Sequence, residues 1–179
     1  MSEPKNESLQ IFGSLVAGFA QACVNLNIVA GPRAGRLRSN DEFGAWYPYE
    51  RLRELERTVI DSYTSSEPIL ERVGIEMMRA WYTFGPGKEF IKRGEDFLHF
   101  QTGSLGYASV VKGPPEDVGL FVLEHIDSAA GRAVIHSTTP FDKHLERGVL
   151  IGGMSAPGDL DFVDVVYDPT THRYFVEYH

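Results

Sequence analysis

The sequence has too little cysteine to form an internal disulfide. Its 179 residues include a single cysteine, Cys23, which excludes an internal disulfide and is typical of proteins from a reducing compartment. A chain of this length buries roughly 70% of the surface that its unfolded form exposes, so one hydrophobic core is enough. We therefore expect a cytoplasmic protein with a disordered, polar start over residues 1–8 and a single domain over residues 9–179.

Basic residues are also scarce. Seventeen Lys and Arg residues stand against 25 Asp and Glu, which gives a net charge of −8, and the basic side chains are scattered along the chain. Binding to nucleic acid or to an anionic membrane depends on clustered positive charge. The composition therefore argues against both as partners.

Long apolar runs are missing as well. The most apolar early stretch, residues 9–29, is interrupted by glycines and polar residues, whereas a membrane-spanning helix needs roughly 20 predominantly apolar residues in succession. The N-terminus has no basic segment ahead of an apolar core, unlike a secretory signal. We expect neither a membrane span nor an export signal.

The first half of the chain has helical patterns instead. Apolar residues recur at helical spacing in four stretches, which we predict to be helices: residues 9–30, 48–63, 67–84 and 88–101. Pro48 suits the first turn of the second helix, whose charged face includes Glu56, and Ser66 is a suitable N-cap for the third. Gly85-Pro86-Gly87 predicts the end of the third helix.

The second half is rich in β-branched residues and glycine. It predicts hairpins, separated by a short helix over residues 140–150 that ends at Gly152-Gly153. The predicted strands are residues 107–112, 118–125, 132–137, 162–167 and 173–178. This order of elements, with helices in the first half of the chain and hairpins in the second, favours an α+β fold. We expect a helical N-terminal half packed on an antiparallel meander sheet with one short crossing helix.

Aromatic and methionine side chains form the first candidate site. They are suited to the walls of an apolar pocket for a flat ligand, and the residues predicted to bind it are Trp46, Met77, Trp81, Tyr82, His99 and Tyr107. The same residue types also form ordinary hydrophobic cores. Both interpretations are open at this point.

His99 is also the candidate metal ligand. It lies in Phe97-Leu98-His99-Phe100, near the end of a predicted helix, where a neutral imidazole among apolar residues can bind haem iron. The alternative is a helix-terminal histidine bonded to a backbone carbonyl. No second ligand or haem-attachment motif accompanies it.

Glu124 and His136 form a third candidate. A hairpin centred near Ala129 places Val122 opposite His136 and His125 opposite Ala133, so Glu124 and His136 lie diagonally on one face. A carboxylate beside an imidazole is a common arrangement for acid–base catalysis. An ordinary polar face of a half-exposed sheet has the same pattern.

The sequence also resembles a known family. The segments Ala133–Phe141 and Leu145–Gly153 are similar to the strand-then-helix unit of the haem nitric-oxide/oxygen-binding (H-NOX) domains, whose fold is shared by four-vinyl-reductase-type ligand-binding domains. The resemblance covers the order of elements over residues 45–179. It implies helices over a sheet, haem as a candidate cofactor and His99 as its axial ligand. His136–Pro140 stands where that family has its Tyr-x-Ser-x-Arg propionate motif.

The leading prediction is therefore a ligand-binding, sensor-like domain. It would bind a small apolar molecule in a pocket without transforming it, and haem is one candidate ligand. It would signal to an effector protein, because we recognise no output domain in the chain. The alternatives are an enzyme that uses Glu124 and His136, and an interaction subunit that binds no ligand and forms a homodimer.

Overall fold

The computed structural model describes residues 8–28 and 41–179. The segment predicted to be disordered lies outside the described residues apart from Ser8. The helices are α1 (Gly13–Asn25), α2 (Glu50–Ile60), α3 (Glu67–Phe84), α4 (Gly87–Phe90), α5 (Gly94–Thr102), α6 (Tyr107–Val110), α7 (Pro115–Val118) and α8 (Lys143–Ser155). The strands are β1 (Gln10–Phe12), β2 (Trp46–Pro48), β3 (Val111–Lys112), β4 (Phe121–Asp127), β5 (Arg132–Ser137), β6 (Val163–Asp168) and β7 (Arg173–Tyr178).

The predicted α+β fold is confirmed. Helices make up the first half, and the second half forms a four-stranded antiparallel sheet in the order β4-β5-β7-β6. Helix α8 crosses between β5 and β6, which brings the last strand back beside β5. Alternate residues of the strands are buried, among them Ile135, Tyr174 and Val165. One face of the sheet therefore covers the core and the other faces solvent.

The single helix predicted over residues 88–101 is wrong, because the chain is extended between two shorter helices. The amides of Lys92 and Arg93 each donate to the Asp96 carboxylate at 2.9 Å, and these bonds hold the pKa of that carboxyl below its usual range. They fix the start of α5, where the Asp96 amide in turn donates to the Arg93 carbonyl at 3.0 Å. Gly94, the first residue of α5, packs against the backbone of α8.

The strand predicted over residues 107–112 is mostly helix. Residues 107–110 form α6, and only Val111 and Lys112 are extended. They pair with β1, which also pairs with β2 in a separate three-stranded sheet. The three-stranded sheet therefore ties the N-terminal strand to the middle of the chain.

The crossing helix is longer than predicted, because Gly152 and Gly153 do not end it. A Cβ atom on Gly152 would lie 2.7 Å from the Ile75 Cα of α3, and one on Gly153 would overlap the Phe97 ring of α5. These glycines are therefore packing positions rather than helix breakers. They allow α8 to lie directly against α3 and α5 in the centre of the molecule.

Candidate functional site

The six residues predicted to line one pocket are divided among the three-stranded sheet, α3, α5 and α6. Trp46 belongs to the three-stranded sheet, where its ring centroid is 5.1 Å from that of Phe12 and 4.2 Å from the Lys112 ammonium. Met77 is buried on α3, next to Gly18 of α1. Met77 is one helical turn before Trp81, so these two members of the predicted set lie on the same face of α3.

Trp81 belongs to an aromatic cluster between α3, α4 and α5. Its ring centroid is 5.0 Å from that of Phe100, 6.3 Å from Phe97 and 6.4 Å from Phe90. Neighbouring Tyr82 lies 5.7 Å from the Lys88 ammonium. Rings at these distances pack against one another, so this cluster joins helices together.

His99 is exposed on α5. The two residues before it, Phe97 and Leu98, are fully buried, and Phe97 is in direct contact with Gly153 of α8. Within residues 8–28 and 41–179, no group of three or more His, Cys, Asp or Glu side chains is placed to hold a metal ion. Haem iron needs only one axial histidine, so the observation that bears on haem is the exposure of His99, which is not enclosed as an axial ligand in an apolar pocket would be.

An absorption spectrum tests this conclusion. We expect the purified protein to show no Soret band after incubation with haem and removal of the excess, and His99→Ala to give the same spectrum. The imidazole is exposed, whereas an iron-binding histidine needs surroundings that exclude water from the metal. A Soret band that is present in the wild type and lost in His99→Ala would contradict the expectation.

Glu124 and His136 meet on the solvent-facing side of the sheet, with 3.7 Å between Oε1 and Nδ1. Val122 pairs with His136 as predicted, but a bulge at Glu124 places His125 opposite Val134 instead of Ala133. The Arg173 guanidinium donates to both oxygens of Glu124, at 2.6 and 2.9 Å, and holds the pKa of this carboxyl below its usual range. Glu124 thus forms an ion pair with Arg173.

The sequence reasoning missed a cleft of about 520 Å³ between α2 and the segment that joins β5 to α8. Its size is within the range of small-molecule sites. It lies beside the N-terminal strand and the loop that follows β3. The lining residues are Leu9, Tyr49, Arg53, Glu56, Arg57, Ile60, Asp117, Pro140, Phe141 and Asp142.

Glu56 is the unusual member of this lining. Only 7% of the residue is exposed, and its buried Oε1 atom has no hydrogen-bond partner among the residues that the structure describes. Burial, and then the negative charge of Asp142, raise the pKa of the Glu56 carboxyl to about 7, against the opposing effect of Arg53 and Arg57. A buried carboxylate normally has partners for its oxygens, so the cleft contains an unsatisfied acceptor.

Aromatic residues form one side of the cleft. The Tyr49 hydroxyl donates to the Pro140 carbonyl at 2.9 Å, and the Tyr49 ring packs edge-on against Phe141 at 5.6 Å. Phe141 also contacts Tyr107 at 5.7 Å. Tyr107 is therefore the one residue of the predicted set that is placed next to the cleft, although it does not line it.

A second buried carboxylate, Glu146, provides a contrast. It accepts from the Ser137 and Thr139 hydroxyls, and the Lys143 ammonium lies 3.3 Å from its Oε1. The ammonium also donates to the Thr139 carbonyl at 3.0 Å. This network has all its partners within the chain and fastens β5 to α8, whereas Glu56 has an oxygen without one.

Comparison with solved structures identifies the fold. A substituted form of the Tt H-NOX domain is 11% identical, with a TM-score of 0.65 over 94% of this chain and 95% of its own. An oxygen-binding H-NOX domain related to soluble guanylate cyclases, solved as its oxygen complex, is 11% identical, with a TM-score of 0.64 over 93% of this chain and 94% of its own. A structure solved to study haem redox potential under porphyrin distortion is 12% identical, with a TM-score of 0.64 over 93% of each chain.

The chain thus has an H-NOX-like fold, as its sequence predicts. Sequence identities of 11–12% establish the fold and not the ligand. No protein-family model matches the chain, and no curated protein does either. Within residues 8–28 and 41–179, no helix is long and apolar enough to cross a membrane.

Proposed function

We propose that this chain is a small-molecule-binding regulatory module whose ligand occupies the cleft at Glu56 and is not haem. The supporting observation is Glu56, a residue of the cleft lining whose Oε1 atom is buried with no hydrogen-bond partner among residues 8–28 and 41–179. Leaving a buried polar atom unsatisfied costs about 1–3 kcal/mol. A ligand that donates a hydrogen bond to it would recover this free energy.

The position of the cleft supports a regulatory role. Pro140, Phe141 and Asp142 connect β5 to α8, and Asp142 caps α8 by accepting from the His144 and Leu145 amides at 2.8 and 3.1 Å. A ligand in the cleft would therefore contact the start of the central helix. Any shift of that segment would be passed to α3, α5 and β6, which pack against α8.

Thermal-shift screening of a fragment library tests the proposal. We expect fragments that raise the melting temperature of the wild type to lose this effect in Glu56→Gln, which removes the carboxylate, and in Ile60→Lys, which places a charged chain at the cleft. Glu54→Gln is the matched control, because Glu54 is an exposed carboxylate on the same helix. The proposal fails if no fragment binds, or if binding survives both cleft substitutions.

One observation favours the alternative of an interaction subunit. Val134, Phe175 and Val166 lie side by side across three strands on the solvent-facing side of the sheet, and Phe175 and Val166 are 47% and 54% exposed. Exposed apolar patches are typical of protein contacts. A second copy of the chain is the partner that this alternative predicts, and the mass of the protein in solution separates it from a monomeric ligand-binding module.

A further inference from the structure

We infer that the ligand of the cleft is an organic cation: a primary or secondary ammonium group on an apolar body, with the ammonium against Glu56. This inference rests on the proposed function and specifies its ligand class. It follows from the hydrogen-bonding deficit of Glu56, the charges that surround it and the apolar side chains beside it.

The hydrogen-bonding deficit requires a donor. An ionised carboxylate can only accept, and in the described part of the chain no group donates a hydrogen bond to the buried Glu56 Oε1 atom. An ammonium group supplies two or three N–H donors and no acceptor, so it would satisfy this oxygen without introducing a new unpaired acceptor. Hydrogen bonds between charged partners are also about twice as strong as those between neutral ones.

The charges around Glu56 select a cation over an anion. Asp142 lies close enough to raise the pKa of Glu56 by its negative charge, and Asp117 is a third carboxylate in the lining. The two arginines, Arg53 and Arg57, are exposed, and Arg57 already pairs with Glu50 at 2.7 Å. The lining therefore has three carboxylates against two arginines, and an ammonium group against Glu56 would reduce the mutual repulsion of the carboxylates.

The negative charge of the cleft does not by itself indicate that its ligand is a metal ion. The three carboxylates of the cleft do not form a cluster that could coordinate a metal, since the described part of the chain has no such cluster. Besides Arg53 and Arg57, the rest of the lining is apolar or aromatic: Leu9, Tyr49, Ile60, Pro140 and Phe141. These side chains suit a hydrocarbon or aromatic body joined to the ammonium group.

Isothermal titration calorimetry tests this inference with three ligands that share a phenylethyl skeleton and differ in the head group. The probes are 2-phenylethylamine, 2-phenylethanol and 3-phenylpropionate at pH 8, where Glu56 is mostly ionised. We expect the wild type to bind the amine at least roughly tenfold more tightly than the alcohol and to bind the carboxylate least, because a charge-assisted hydrogen bond is about twice as strong as a neutral one. Glu56→Gln should reduce amine affinity by at least roughly tenfold and change alcohol affinity little.

The outcomes separate this inference from the function on which it rests. If the alcohol or the carboxylate binds as tightly as the amine, the ligand class is wrong, while binding that depends on Glu56 or Ile60 would still support a small-molecule module. If the amine binds equally well to Glu56→Gln, the inferred contact is wrong. If neither these probes nor the fragment library binds, both proposals fail. Glu54→Gln should behave as the wild type throughout.

Discussion

Gly148→Ala is expected to destabilise the protein by about 3 kcal/mol, although alanine is the better helix former. Gly148 lies in the middle of α8, where it faces the backbone of α3. A Cβ atom there would lie 2.8 Å from the carbonyl carbon of Glu71 and closer still to its oxygen. Backbone atoms of a packed helix cannot rotate away as a flexible side chain can, so the two helices would have to separate.

Urea denaturation of the variant and the wild type measures this effect. Gly18→Ala on α1 is the matched control, because the added Cβ would meet only the Met77 methyl group at 3.7 Å, an ordinary contact. There the helix propensity of alanine should stabilise the protein by up to about 1 kcal/mol. If Gly148→Ala were as stable as Gly18→Ala, α3 and α8 could not lie as close together as they do here.

The two kinds of glycine show how far sequence reasoning reaches. Helical periodicity correctly predicted α2 and α3, and it placed a crossing helix after β5. It read Gly152 and Gly153 as a stop, since glycine is a poor helix former. Spacing of four residues between Gly148 and Gly152 was the available sign of a close helix contact, because residues four apart lie on one face of a helix. Which helix faces them depends on tertiary packing.

The hairpin shows a similar limit. Turn residues and alternation located both strands and paired Val122 with His136, but the bulge at Glu124 shifted the remaining register by one residue. A single inserted residue changes no composition or periodicity that a short strand can display. Strand positions were therefore predictable here, and the fine register was not.

The cleft was beyond sequence reasoning for a different reason. Its lining comes from α2, α7 and the segment before α8, which are separated by up to about ninety positions along the chain. Glu56 was counted with the charged face of α2, yet it lies four residues after Leu52 and three before Val59, both buried. That spacing was a usable signal that one carboxylate faces inward. The empty space beside it has no counterpart in the sequence.

Stability as a function of pH provides the second test of Glu56. We expect the wild type to lose about 3 kcal/mol of stability between pH 4.5 and pH 8 that Glu56→Gln does not lose. The pKa of this carboxyl is about 7 in the folded protein and near 4.5 when it is unperturbed. The folded state therefore binds more protons than the unfolded state over this range, and stability falls as pH rises until Glu56 is fully ionised.

The charged groups around Glu56 fix the direction of this effect. Desolvation and Asp142 oppose ionisation, and Arg53 and Arg57 favour it less strongly, so their sum still penalises the charged form. Carboxyls with lowered pKa values, such as Asp96, give stability that is lost at low pH. They are present in both proteins, and the difference between the two curves isolates Glu56.

Urea denaturation at a series of pH values gives the two curves. Glu54→Gln should follow the wild type within about 0.5 kcal/mol, because Glu54 is exposed and its pairing with Arg51 is a surface contact. Glu56→Met removes the buried polar group altogether and should be more stable than the wild type at pH 8. A wild-type curve parallel to that of Glu56→Gln would mean that Glu56 is solvated or paired in the folded protein. A carboxylate that lowers the stability of the free protein and raises its affinity for an amine is what a binding residue, rather than a packing residue, would show.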